Sequence, residues 1–148
     1  MESQRLVYRP ATAADLDFLL ALRRQTMRAH IENSGLEYRE EEQVQRVLYQ
    51  FGCAQIVIRD GAPVGLVKVD KNGRPWLLIQ IQLLPAFQGR GLGRDLITEL
   101  LTEATRQGTG VELTVLQASP AQRFYQRLGF CLQEKRPHSL VMRFDPEC

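Results

Sequence analysis

Three glycines, Gly89, Gly91 and Gly93, alternate with other residues in QGRGLGR (88–94), and the apolar stripe of a helix (Leu92, Leu96, Ile97, Leu100, Leu101, Ala104) begins inside the same stretch. Glycine inside a helix costs roughly 0.5–1 kcal/mol relative to alanine. Three at a helix start make physical sense where the backbone must stay bare. The first turn has N–H groups without intrahelical partners, and the aligned peptide dipoles place partial positive charge there. Arg90 and Arg94 add formal charge. The chemistry that fits is the binding of a pyrophosphate-sized anion by Gln88 through Arg94. A plain glycine-rich turn capping a helix is the other reading of the same residues.

Two familiar phosphate loops are excluded by spacing. A P-loop needs Lys-Ser or Lys-Thr after its last glycine, and Gly93 is followed by Arg94 and Asp95. A dinucleotide fingerprint needs a glycine three residues after the second and a βαβ setting. Position 94 is arginine, and the upstream pattern is a hairpin meander.

That meander is legible from period and turn chemistry. AQIVIRD (54–60), VGLVKVD (64–70) and WLLIQIQLL (76–84) read as strands, joined by turns at DGAP and KNG, the second expected to use the positive φ that Asn-Gly tolerates. The third strand is apolar on both faces except at Gln80 and Gln82. Before it, RLVYR (5–9) reads as a strand ended by Pro10. Thr12 and Asp15 form a capping box with Asp in place of Glu, and a helix follows over about 13–30, broken by ENSG (32–35). A second helix is expected over 38–50 with Val44, Val47 and Leu48 facing inward. After the loop come a helix to about 107, a strand TGVELTVL (109–116) and a short helix. Ser119 is read as that helix's N-cap, Pro120 as its first residue and Gly129 as its stop. FCLQEK and SLVMRF form a closing hairpin. The order β-α-α-β-β-β-α-β-α-β-β predicts a single α+β domain over residues 1–148 around a mixed, mostly antiparallel sheet flanked by helices.

Composition sets bounds. The chain has 148 residues, 44% of them hydrophobic and 24% charged, with a net charge of +2. That length supports one core, and that charge gives no reason to expect a nucleic-acid partner. No apolar run approaches the ~18–20 residues of a membrane span, and the first ten residues lack an apolar leader core. Cys53, Cys131 and Cys148 show no CxxC; Cys53 and Cys131 are expected as small core residues and Cys148 as a free thiol at the chain end. That usage fits a reducing cytoplasm. Two histidines, His30 and His138, are too few for a metal cluster, so no metal is expected.

QGRGLG after LLP resembles the Q/R-x-x-G-x-G/A signature of the GNAT acetyltransferase superfamily. SPAQRFYQRLGF (119–130) is similar to that family's second landmark, and YRPATAADL to its first strand and helix. The resemblance spans nearly the whole chain. It implies acetyl-CoA, or another acyl-CoA, as donor and an amine as acceptor. It places the pyrophosphate on Gln88, Gly89, Arg90, Gly91, Leu92, Gly93 and Arg94. It places the pantetheine arm along the strand ending at Leu83 and Leu84, beside Ser119, Phe124 and Arg127. Tyr125 falls beside the thioester sulfur as the acid, with core packing on the Phe124/Leu128 stripe as the competing role. Many family members carry a glutamate on the strand before the loop. Here Gln80 and Gln82 stand there, and since an amide is no base at neutral pH, Gln82 is expected to position the acceptor or a water. Glu32, Glu37, His30 and His138 are further candidates for the amine's proton. Ser119 replaces the family's usual Asn, keeping the cap but not an amide's two functions. The acidic start of the second helix (Glu37, Glu40, Glu41, Glu42) reads either as an attractor for a cationic amine or as a solvated helix start complementing the dipole. Family members often pair into homodimers, a state these residues do not specify. A non-catalytic acyl-CoA sensor or regulatory module is the alternative to an enzyme.

Overall fold

The computed structural model describes residues 6–146. Arg5 of the first expected strand, the start of the N-terminal segment and the Cys148 thiol lie outside the described residues; of the cysteines expected in the core, Cys131 is exposed on a strand and Cys53 is only half-buried. Strand β1 (Val7–Pro10) pairs antiparallel with β2 (Ala54–Arg59). Pro10 is part of β1 rather than its terminator. It is tolerated because β1 forms an edge of the sheet, where a missing N–H breaks no ladder on the open side.

The Thr12/Asp15 box forms as expected, over a short 3₁₀ turn: the Thr12 N–H donates to Asp15 Oδ2 at 2.8 Å, and Arg9 grips the same carboxylate with two bonds of 2.8 Å. Arg9 is the main reason the Asp15 carboxyl is held down at about 2. Helix α1 (Leu16–Asn33) follows and runs three residues beyond the expected 30, into the ENSG segment. Helix α2 (Glu40–Leu48) is shorter than expected and turned differently: Gln43 and Val47 are its buried residues, while Leu48 is 47% exposed. The rotation has a polar cause. Arg23 of α1 is buried and donates its Nε–H to Gln43 Oε1, drawing an amide into a place that hydrophobicity would give to Leu48.

Strands β2, β3 (Ala62–Asp70) and β4 (Trp76–Leu83) form the meander. Asp60 and Gly61, both at positive φ, make the tight first turn. The second turn differs from expectation: neither Asn72 nor Gly73 has positive φ, and the Asn72 N–H donates to Asp70 Oδ1 instead, ahead of a cis Arg74–Pro75 bond. Helix α3 (Leu92–Arg106), β5 (Val111–Leu116), α4 (Ala121–Arg127), β6 (Cys131–Lys135) and β7 (Ser139–Phe144) complete the order. The seven strands lie in the order β1-β2-β3-β4-β5-β7-β6, antiparallel except where β4 meets β5.

Helices cover both faces. Leu19, Leu22 and Val47 of α1 and α2 pack on Ala54, Ile56 and Leu66. On the other face Ile97 and Leu101 of α3 and Tyr125 of α4 pack with Leu78, Val111 and Leu113, and Leu92 and Leu96 pack with Val57, Val64 and Leu83. No helix among the described residues is long and apolar enough to cross a membrane.

One bulge sets the geometry of the centre. Lys68 pairs with Gln80 and Val69 with Leu78, so Ile79 is an extra residue on β4. The bulge exchanges the faces along β4. Leu78 before it and Ile81 and Leu83 after it lie on the α3 side, while Gln80 and Gln82 lie opposite Lys68 and Leu66 on the α1/α2 side.

Lys68 is fully buried there, and its Nζ donates to the carbonyls of Arg46, Val47 and Tyr49, capping the C-terminus of α2. Burial, then the nearby Arg23, pulls its ammonium down to about 8, against a small opposing pull from Cys53. At neutral pH it is charged, with three acceptors for its three protons. Lys68→Met should therefore cost about 2 kcal/mol in urea denaturation at pH 7, because the helix end loses its donors. Between pH 8 and about 10.5 the unfolded lysine keeps a proton that the folded one has shed. Wild-type stability should accordingly rise with pH relative to Lys68→Met across that window, a difference readable from paired denaturation curves.

Candidate active site

The bulge at Ile79 coincides with the end of the β4–β5 ladder, whose pairs are Trp76–Val111, Leu77–Glu112 and Leu78–Leu113 only. Beyond that point β4 stays on β3 as far as Leu83, and β5 stays on β7 as far as Leu116. The two halves of the sheet part. Ile79–Leu83 and Thr114–Leu116 turn toward each other strand edges that have no strand partner. The slot between them suits an extended chain with its own amide donors and acceptors.

Gly65 makes this path possible. A Cβ there would come within 2.5 Å of the Gln82 carbonyl oxygen and 2.8 Å of Leu83 Cδ2, so no larger residue lets β4 lie this close to β3 as it leaves β5. In the sequence Gly65 looks like an ordinary strand position.

At the mouth of the slot, Pro85–Phe87 form a 3₁₀ turn and the glycine loop leads into α3. Gly91, at φ +82°, is the N-cap, and a Cβ added at Gly91 or Gly89 would meet nothing within 4 Å. Gln88 departs from expectation as a donor: its backbone N–H goes to the Pro85 carbonyl and its side-chain amide to the Leu83 carbonyl. Gln88 clips the loop to the end of β4, and the free donors start one residue later. Among the described residues, the N–H groups of Gly89 through Arg94 have no protein acceptor. Leu92 is buried and anchors the turn. Arg90 lies against the Phe87 ring at 5.9 Å, and Arg94 is exposed.

The expected pantetheine residues partly converge. A Cβ at Gly93 would lie 3.7 Å from Phe124 Cζ and 3.8 Å from Leu83 Cδ1, so these three meet at one point beside the slot. Leu84 continues onto β3 through its N–H to the Val64 carbonyl and packs toward α1. Ser119 sits one step earlier than expected. Pro120 is the N-cap of α4, and the Ser119 hydroxyl accepts the Ala121 N–H at 3.1 Å. Arg127 is exposed and stands three residues after Phe124, on that residue's side of α4 rather than Tyr125's. Tyr125 is buried, edge-on to Phe124 and Phe130 with centroids 5.2 and 5.4 Å away, and its hydroxyl has no hydrogen-bond partner among the described residues. Burial pushes its phenol up to about 12.

The α1/α2 side of the slot is polar. Gln80 donates its amide to the Arg46 carbonyl at 3.3 Å, while Gln80 Oε1 and Gln82 Oε1 are buried without partners. His138, in the β6–β7 turn, meets the Ser34 carbonyl through Nδ1 at 2.7 Å. A carbonyl only accepts, so Nδ1 carries the proton, and in the neutral ring Nε2 keeps its lone pair. His138, Ser34, Asn33, Gln117 and Pro137 line a cavity of about 300 Å³. A cavity of about 450 Å³, lined by residues such as Arg74, Gly110 and Arg143, lies at the opposite end of the β4–β5 pair. Glu32, Glu37 and Glu40 are engaged by Arg28, Arg39 and Arg24, which blunts the acidic patch. No group of three or more His, Cys, Asp or Glu side chains among the described residues could hold a metal.

The described arrangement matches known proteins in fold. The chain aligns with the PaiA N-acetyltransferase of Thermoplasma acidophilum in complex with coenzyme A at TM-score 0.73 and 16% identity, covering 95% of this chain and 99% of that one. It aligns with an acetyltransferase of Thermus thermophilus at TM-score 0.74 and 21% identity, covering 98% and 99%. The ribosomal-protein-S18-alanine N-acetyltransferase of Escherichia coli gives TM-score 0.68 and 16% identity, covering 95% and 94%. Among curated protein sequences, none matches the chain. A family model described as an acetyltransferase (GNAT) domain matches residues 23–139, a span containing the slot, the glycine loop and α4, and the chain belongs to the GNAT acetyltransferase family.

Proposed function

We propose that the chain is an N-acetyltransferase that moves an acetyl group from acetyl-CoA directly to a primary amine of a small molecule or peptide. The observation that carries this reading is the slot between β4 and β5 with a row of bare N–H groups at its mouth. The loop from Gly89 to Arg94 holds the pyrophosphate, and the open edge of Ile79–Leu83 pairs with the amides of the pantetheine arm. The thioester then lies near Phe124 and Tyr125.

In the reaction the amine nitrogen forms a bond to the acetyl carbon and the carbon–sulfur bond breaks. The amine loses a proton and the sulfur gains one. Tyr125 is held neutral by burial and has a free O–H, so it donates a hydrogen bond to the departing sulfur. Complete transfer from a phenol near 12 to a thiolate of ordinary basicity (thiol pKa about 8.5) is uphill. Tyr125 therefore stabilises the departing thiolate through the hydrogen bond and keeps its own proton, and the sulfur takes its proton from water after CoA leaves. Gln82 bears an amide and orients the acceptor. Among the candidates for the amine's proton, His138 is the one whose geometry leaves a ring nitrogen free beside a cavity.

The amide at Gln82 also suits a non-catalytic acyl-CoA-binding module. Thiol release from acetyl-CoA over a panel of amines separates the two readings; tight CoA binding with no release on any amine would overturn the enzyme reading. Tyr125→Phe should lower turnover about a hundredfold at saturating acetyl-CoA. Stability should change little, since the hydroxyl has no partner to lose, and an unchanged turnover would assign Tyr125 to packing. Gly91→Val should cost about 1–2 kcal/mol of stability, because position 91 sits at φ +82°. Its CoA affinity, measured by calorimetry, should fall by more than that strain accounts for. Normal affinity would reduce the loop to a helix cap.

A further inference from the structure

Arg23 is a buried arginine without an anion. It is 5% exposed, and its Nε–H goes to the neutral oxygen of Gln43. Neither terminal nitrogen of its guanidinium has a hydrogen-bond acceptor among the described residues. The arginines around it are treated differently: Arg24, Arg28 and Arg39, all exposed, each hold a glutamate. The charged neighbours that act on Arg23 are Arg46 and Lys68, both cations, with Tyr38 as the remaining ionisable group. A mostly buried arginine whose terminal nitrogens have no protein acceptor and keep only a narrow opening to solvent, beside other cations, is stabilised by a bound anion.

Its position says which anion. Arg23 belongs to α1, which packs on β4, and it lies near Lys68, the cross-strand partner of Gln80. Gln80 and Gln82 stand on the same side of β4, in the stretch that has parted from β5, and each presents a buried amide oxygen without a donor. This side of β4 thus offers two bare acceptors, and the helix packed over it carries a donor fork without an acceptor. Bare amide oxygens suit the N–H groups of an amine, and a guanidinium suits the two oxygens of a carboxylate.

We infer that the acceptor is an amine that also carries a carboxylate, an amino acid or ω-amino acid, whose carboxylate is bound by Arg23 while Gln80 and Gln82 hold the amine toward the slot. This rests on the transferase reading above. It also replaces the acidic start of α2 as the source of acceptor specificity.

The test compares each acceptor with its own amide, glycine against glycinamide and β-alanine against β-alaninamide, in wild type and in Arg23→Met. Taking the acid-to-amide ratio of kcat/KM within each protein and then comparing proteins cancels intrinsic differences in amine reactivity. The wild-type ratio should exceed that of Arg23→Met by about tenfold to a hundredfold, the range of a charge-assisted hydrogen bond. CoA affinity should be equal in the two proteins. Equal ratios would overturn the inference, as would a wild type that favours the amides. Should Arg23→Met fail to fold, Arg23→Lys, which keeps the charge but loses the fork, is expected to give an intermediate ratio, and a wild-type ratio there overturns the inference. If wild type releases thiol on none of the amines, the transferase reading falls, and calorimetry on the CoA-loaded protein still decides about Arg23. Binding of β-alanine over its amide that is lost in Arg23→Met upholds the carboxylate site, and equal or absent binding removes it.

Discussion

An extra residue on one edge of a strand shifts the residues after it to the opposite face and can end the pairing on the other edge. In β4 the extra residue is Ile79, and the pairing with β5 stops at Leu78. The rest of the site follows from this. The sheet divides into β1-β2-β3-β4 and β5-β7-β6, each internally paired and joined by three residue pairs. The parted edges leave backbone groups that a sheet would ordinarily satisfy, so the gap favours an occupant with the hydrogen-bonding habit of a peptide. The exchange of faces at the bulge also sorts the chemistry: Ile81 and Leu83 join the apolar layer under α3, and the glutamines turn to the other side. Gly65 and the Gln88 clip then hold the end of β4 and the start of the loop in register.

Much of this order is legible in the sequence, because period and turn chemistry are local. The meander, the three later helices' approximate positions, the closing hairpin and the glycine loop all declare themselves through residues close together in the chain. The bulge does not. WLLIQIQLL is apolar enough to hide a change of face, and nothing in it marks Ile79. The departures from expectation share a cause. Hydrophobicity alone puts Leu48 on the inner stripe of its helix, whereas Gln43 is buried by a hydrogen bond to a residue twenty positions earlier. Gln88 reads as a phosphate donor because its use by Leu83 and Pro85 depends on how the loop folds back. The acidic start of α2 looks like free charge because its arginine partner Arg24 lies in another helix. Lys68 carries no signal, since a lone cation in an apolar strand shows its role only once the carbonyls around it are visible, and Arg23 reads with Arg24 and Arg28 as one solvated charge group until the fold buries it and leaves the other two exposed.

The two faces of the sheet differ for a reason that begins with α2. This helix ends at Leu48 without a glycine, and Gln50 takes the left-handed conformation a glycine often supplies. The carbonyls of Arg46 and Val47 at its end and of Tyr49 just beyond it point at the sheet and need donors. Lys68 supplies three protons and Gln80 a fourth bond, to the Arg46 carbonyl that Lys68 shares. The cost of placing an ammonium in the core is reduced by the partial negative charge of the helix end. The arrangement has a remainder. Once the Gln80 amide is spent on Arg46, its oxygen has no donor, and the oxygen of Gln82, one pleat on, has none either. A helix terminus resolved from beneath by the sheet therefore leaves unpaired acceptors facing the stretch where β4 leaves β5, and the group best able to satisfy them is one that enters the slot from outside.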